Sequence, residues 1–196
     1  MIQRRRRAGY PWRNSHEELG VMHTGQVRSV VVMGVSGSGK STIARALAQR
    51  IGFEFIDGDA LHSPDNLAKM SKGHALSDGD RTPWLNAIGQ QLKDARSHAF
   101  GCVVACSALK RKYRDLLREY VPDTYFVMLD GAFELIQARL EARPHDFMPV
   151  SLLASQFATL EPLQRDERGV RVDISLAPEE IVSQIANAWR DGPESG

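Results

Sequence analysis

The chain has 196 residues, 42% of them apolar and 25% charged, with a formal net charge of +1. That composition fits one soluble globular domain with a substantial core, and no apolar run is long enough to span a membrane. The charge is uneven: residues 1–28 hold six arginines against two glutamates, a net of +4, so the remainder carries −3, which excludes a nucleic-acid-binding role for the folded part.

Residues 1–27 show no periodic apolar pattern and include Gly9, Pro11, Gly20 and Gly25. They read as a disordered basic arm. Arg4 to Arg7 read as a solvated tail or as part of an over-extended start with Met22 as the initiator; contact with nucleic acid or an acidic surface is the alternative. No apolar region follows the arginines, so no secretory signal is expected and the location is expected to be cytoplasmic. The folded domain is expected over 28–191, with a flexible tail over 192–196.

The first strand is expected over 28–33. It runs into Gly34-Val35-Ser36-Gly37-Ser38-Gly39-Lys40-Ser41-Thr42, and a helix over 40–51 follows. Strand, glycine loop and helix in that order match the phosphate-binding pattern G-x-x-x-x-G-K-[ST]. Glycines let successive N–H groups curl around an anion, and the helix N-terminus adds partial positive charge. Lys40 reaches the β- and γ-phosphates of ATP, and the Ser41 hydroxyl ligates Mg²⁺.

A second strand over 53–56 ends in Asp57-Gly58-Asp59. Beside a phosphate loop, two carboxylates suit phosphoryl transfer: Asp57 for the metal shell, Asp59 for the acceptor hydroxyl. A plain Asp-Gly-Asp turn is the structural alternative. His62 follows closely and is a candidate for the acceptor, His74 a weaker one. A helix is expected over 64–72 and another over 83–99, with Thr82 as its cap and Pro83 in its first turn. Arg81 would then sit at that helix's N-terminus, either binding a substrate carboxylate or pairing with Asp78 or Asp80.

The third strand, 101–106, carries Cys102 and Cys106, which lie about 13 Å apart at strand rise and cannot bridge; both read as buried reduced thiols. It ends in Cys106-Ser107 with no acid, and no Asn-Lys-x-Asp segment occurs. Motor and GTPase branches are thereby disfavoured, leaving a small kinase of the adenylate kinase-like class. Ser107 and Lys110 fall at the carboxyl end of this strand, where an acceptor would lie, and Arg114 follows Lys110 by one helical turn on a helix over 109–120, so both are candidates to face the acceptor; Arg111 and Lys112 read as solvated. A strand over 124–129 precedes a helix over 131–143, where Arg139, a candidate for binding the nucleotide, and Arg143 share a face and Pro144 stops the helix. The loop 145–149 reads as a lid, with Arg143 stabilising the transferring phosphoryl group. A helix over 149–159, a strand over 170–174 and a helix over 178–190 complete the chain.

This alternation means βαβ units. The expected fold is the three-layer α/β P-loop nucleoside triphosphate hydrolase fold: a five-stranded parallel sheet, helices on both faces and a short lid. Ligands gather at the carboxyl ends of such strands.

These motifs together resemble the gluconokinase family. The residues that carry the resemblance are Met33 to Ser41, Asp57 to His62, Asn66 with Lys69-Met70, Gly73 with Leu76, Asp80-Arg81 with Pro83-Trp84-Leu85, Cys106 to Lys110 with Tyr113-Arg114, Phe147-Met148, Ser155-Gln156-Phe157 and Leu160-Glu161-Pro162. The resemblance covers roughly 28–190. It implies ATP-dependent phosphorylation of the 6-hydroxyl of D-gluconate, with Mg²⁺. It also implies that Asp59 faces that hydroxyl, that Lys40 and Arg143 grip the transferring phosphate, and that Arg81, His62, Ser107 and Lys110 grip the sugar acid. Many members carry Gly-His-Phe where this chain has His145-Asp146-Phe147, and the arginine-rich arm is not a usual family feature. A shikimate-type kinase is the alternative enzyme, but those carry Gly-Gly-Gly after strand three, where this chain reads Cys106-Ser107-Ala108-Leu109. A non-catalytic nucleotide-dependent module would not need Asp59, Arg81 and Arg143 around a second pocket. The partner is expected to be a small molecule, with no membrane; a homodimer is one assembly the sequence leaves open.

Overall fold

The computed structural model describes residues 29–98, 100–142 and 150–191. The basic arm, Met22, Arg143, the lid residues His145 to Met148 and the tail 192–196 lie outside them.

Five parallel strands form one sheet: β1 (Ser29–Met33), β2 (Glu54–Asp57), β3 (Cys102–Ala105), β4 (Tyr125–Asp130) and β5 (Gly169–Asp173), in the order β2-β3-β1-β4-β5. Among the described residues seven α-helices connect and flank them: α1 (Lys40–Ile51), α2 (Pro64–Ser71), α3 (Asp78–Ser97), α4 (Arg111–Tyr120), α5 (Phe133–Glu141), α6 (Val150–Thr159) and α7 (Pro178–Asp191). The apolar run of β1 is buried on both faces because the strand is central and covered twice. Val30 and Val32 pack with Leu47 of α1 and Ile185 of α7, whereas Val31 and Met33 pack with Ile88 of α3 and Leu117 of α4. β1 is also where the strand order reverses, with β3 on one side and β4 on the other. The crevice at its carboxyl end is therefore the natural ligand site.

The structure moves one helix start. α3 begins at Asp78, five residues before the expected Pro83, and Thr82 is not its cap. A capping box decides this: Ser77 Oγ accepts from the Asp80 N–H at 3.2 Å, and Asp80 Oδ2 accepts from the Ser77 N–H at 3.0 Å. Two orphan donors are satisfied reciprocally, which outweighs the one bond that Pro83 cannot make inside the helix. Thr82 instead donates its hydroxyl back to the Asp78 carbonyl. Arg81 therefore rides on the first turn of a twenty-residue helix rather than on a loop. α4 and α5 each start two residues later than expected, with Lys110 and Ala132 as caps.

Candidate functional site

The phosphate loop follows β1 directly. Gly39 ends it at φ 92° as the cap of α1, a left-handed conformation that a side chain would strain. The loop is tied to the neighbouring strand by the Gly34 N–H, which donates to the Ser107 carbonyl at 3.3 Å, and Lys40 Nζ donates to the Val35 carbonyl at 3.0 Å. Gly37, Gly39, Lys40, Ser41 and Thr42 open on a cavity of about 910 Å³. Gly34, Val35 and Ser38 shape the loop from behind, the latter two buried.

Opposite the loop stands Asp59, exposed to the same cavity on a 3₁₀ turn over Gly58–Leu61. Two contacts fix that turn. Asp57 Oδ1 accepts from the Asp59 N–H at 3.1 Å, and Trp84 Nε1 donates to the Gly58 carbonyl at 2.7 Å. A Cβ on Gly58 would fall 2.4 Å from the Ala105 carbonyl oxygen, so only glycine lets the turn press against β3. Asp57 caps the turn and does not line the cavity, whereas Asp59 does.

The third wall carries cations. Arg81 and Lys110 line the cavity. Lys110 Nζ donates to Asp78 Oδ1 at 2.8 Å, and Tyr113 Oη and Lys112 Nζ donate to the same carboxylate. Those donors hold the Asp78 carboxyl well below the usual carboxylate range, while burial, then the bond to Asp78, pushes the Tyr113 phenol up. Asp80 is engaged by Lys69 at 2.5 Å and by the Ser77 backbone and hydroxyl, which pull it down to about 2. Neither acid pairs with Arg81. Among the described residues its guanidinium has no carboxylate partner, only the Tyr113 ring at 6.0 Å.

Four expected site residues fall elsewhere. Arg114 is fully buried and donates to both oxygens of Glu167 at 2.6 and 2.8 Å, and also to the carbonyls of Ala108, Leu109, Glu161 and Pro162. It is a strut, not an acceptor ligand. Ser107 acts through its carbonyl and does not line the cavity. Arg139 donates to the Ile174 carbonyl at 2.8 Å, fastening α5 to the end of β5, away from the cavity wall. His62 is buried, stacked on Trp84 at 4.2 Å, with Nδ1 3.4 Å from the Asn66 amide. The weaker candidate His74 does line the cavity.

Burial, outweighing the nearby Asp59 and reinforced by Arg81, holds the His62 imidazole below its ordinary value of 6.5. The unfolded chain therefore takes up this proton first as the pH falls. The stability His62 confers is complete above 6.5 and declines from there down through the folded value. His62→Phe, which keeps the stack on Trp84, is expected to flatten the fall in melting temperature between pH 7 and 5; an unchanged slope would refute this.

The motif reading left Asp78, Tyr113 and Gln156 without site roles. Gln156 belongs to α6, whose Leu152, Gln156 and Thr159 recur at helical spacing and line the cavity as one stripe; that periodicity was the available signal. The two cysteines are buried and free, their thiols pushed up to about 12 by burial, so they are inert. No helix among the described residues is long and apolar enough to cross a membrane.

A family model described as "Shikimate kinase" matches residues 36–190. The chain is 45% identical over 158 residues to a gluconokinase of Gluconobacter oxydans, covering 81% of this chain and 89% of that one. The crystal structure of a gluconokinase from Sinorhizobium meliloti superposes with a TM-score of 0.77 at 47% identity, covering 83% of this chain and 91% of that one. A shikimate kinase from Aquifex aeolicus reaches a TM-score of 0.53 at 17% identity over 83% of this chain and 96% of that one, a likeness of fold alone.

Proposed function

The chain belongs to the gluconokinase family and phosphorylates D-gluconate with ATP; we propose that the transfer is made across the cavity between the phosphate loop and Asp59, onto the 6-hydroxyl. The observation that supports this most is the placing of Lys40 and Ser41, Asp59, and Arg81 on three walls of one cavity. The loop N–H groups and Lys40 hold the triphosphate. Arg81, uncommitted to any described acid, takes the sugar-acid carboxylate in a bidentate pair. Lys110, steadied by Asp78, presents its remaining N–H donors to the hydroxyls, and the Tyr113 and Asp78 oxygens accept from them. The far end of the sugar then reaches Asp59.

Asp59 accepts the proton of the 6-hydroxyl as its oxygen bonds to the terminal phosphorus, and the bond from that phosphorus to the bridging oxygen of ADP breaks. Lys40 stabilises the charge that develops, and Arg143 is proposed to do so from the lid side. Mg²⁺ neutralises phosphate charge when bound. Ser41, on the first turn of α1 and open to the cavity, offers the hard oxygen such a cation takes beside phosphate oxygens.

A coupled assay of purified protein across sugar acids, polyols and shikimate tests the reading. Gluconate is expected to be the preferred acceptor; turnover of shikimate alone would sink it. Arg81→Met is expected to raise the KM for gluconate by about 10- to 100-fold, the range of a lost charge-assisted hydrogen bond. It should change kcat less and narrow the preference for acids over neutral polyols. An unaltered KM would assign the carboxylate to another group.

A further inference from the structure

One contact joins the phosphate loop to a segment 120 residues away. The Ser36 N–H donates to Gln156 Oε1 at 2.7 Å. Ser36 sits inside the loop, and Gln156 sits on α6, the helix that re-enters the fold directly after the expected lid. Both residues line the cavity that holds Lys40 and Asp59.

A carboxamide has one accepting end and one donating end. A backbone N–H can only donate, so the Ser36 contact fixes which end of Gln156 meets the loop. The oxygen is spent there, which leaves the Nε2 group with its two N–H bonds. Among the described residues no protein acceptor takes them.

We propose that Gln156 is a catalytic residue whose Nε2 donates to the oxygens of the phosphoryl group in transfer, with Oε1 anchored on Ser36. This rests on the kinase reading above. Gln156 makes and breaks no covalent bond; it adds a neutral donor where negative charge spreads, which favours the transition state. It also makes transfer conditional on α6 being seated against the loop. Were α6 displaced, the donor would leave with it and bound ATP would be less exposed to attack by water.

Two substitutions separate this role from a structural one. Gln156→Glu keeps an oxygen for the Ser36 N–H but loses the donor and adds a repelling charge. At neutral pH its kcat is expected to fall on the order of a hundredfold, the usual loss for one removed donor, and its ATP affinity to weaken as well, because the carboxylate repels the triphosphate. Below the carboxyl's pKa the protonated side chain regains an O–H donor, so activity relative to wild type should rise as the pH falls. Gln156→Met removes both ends and should lose kcat without that acid recovery. Thermal unfolding and ATP titration of each variant establish that the fold and loop persist. A Gln156→Glu variant with wild-type kcat at pH 7 would show that only the Ser36 anchor matters and would overturn the proposal. So would tighter ATP binding in Gln156→Met, which would make the carboxamide a plug in the cradle. Wild-type protein that phosphorylates no sugar acid would instead overturn the functional reading itself.

Discussion

Asp59→Asn is expected to lower kcat by about 10²- to 10⁴-fold, the range for loss of a positioned general base, while ATP binding stays intact. That corresponds to about 3–5 kcal/mol of transition-state stabilisation. The substitution is nearly isosteric, and the 3₁₀ turn uses Asp59 through its N–H, bonded to Asp57 Oδ1 at 3.1 Å. The carboxylate can therefore be neutralised without loosening the backbone that carries it. What disappears is the capacity to take the hydroxyl proton. Steady-state kinetics with gluconate, together with ATP titration, check this. Retained turnover would remove Asp59 from the chemistry.

Arg114→Met is expected to destabilise the fold by about 3–5 kcal/mol, because it leaves a buried charge without its partner. Burial alone would raise the Glu167 carboxyl. Bonds from Arg114 and from the Gln164 N–H, with the positive charges of Arg114 and Arg111, overcome that and keep it below its ordinary value. The same guanidinium also satisfies the carbonyls of Ala108 and Leu109 in the loop before α4 and those of Glu161 and Pro162 after α6. Ala108 is held at φ 39°, an uncommon conformation for a residue with a side chain. A natural domain is stable by only about 5–15 kcal/mol, so the single variant should melt far below wild type. Arg114→Met combined with Glu167→Met should recover part of the loss, since the orphaned charge is gone. A double variant no better than the single would refute the ion pair as the cause. The gluconate KM of any folded fraction should rise, because Lys110 stands on the loop that Arg114 braces.

The fold was largely legible. Every strand and helix expected from the alternation of apolar runs exists, because a parallel sheet covered on both faces demands continuous apolar strands separated by amphipathic helices. The error at α3 was local. Pro83 and Thr82 gave a valid start signal, but Ser77 and Asp80 gave a stronger one, and two reciprocal bonds outweigh one missing bond. The placing of the phosphate loop and Asp59 at one cavity was legible as well, because each lies within a few residues of a strand end. The packing partners of Arg114 and His62 were not legible, for one shared reason. Their spacing from other motif residues was correct, but spacing along a helix or turn does not say which neighbour from a distant segment claims the side chain.

The amino-acid order by itself determined the element sequence, the phosphate cradle after β1 and the acid after β2, since these depend on contacts within a few residues. Only the tertiary structure decided how the basic side chains are allocated: Arg114 to Glu167, 53 residues on; Lys110 to Asp78, 32 residues back; Arg81 to the cavity. The physical reason is that a cation's role is set by the nearest acid and the burial of both. Those are fixed by how α3, α4 and the segment after α6 pack over the sheet, not by any pattern along the chain.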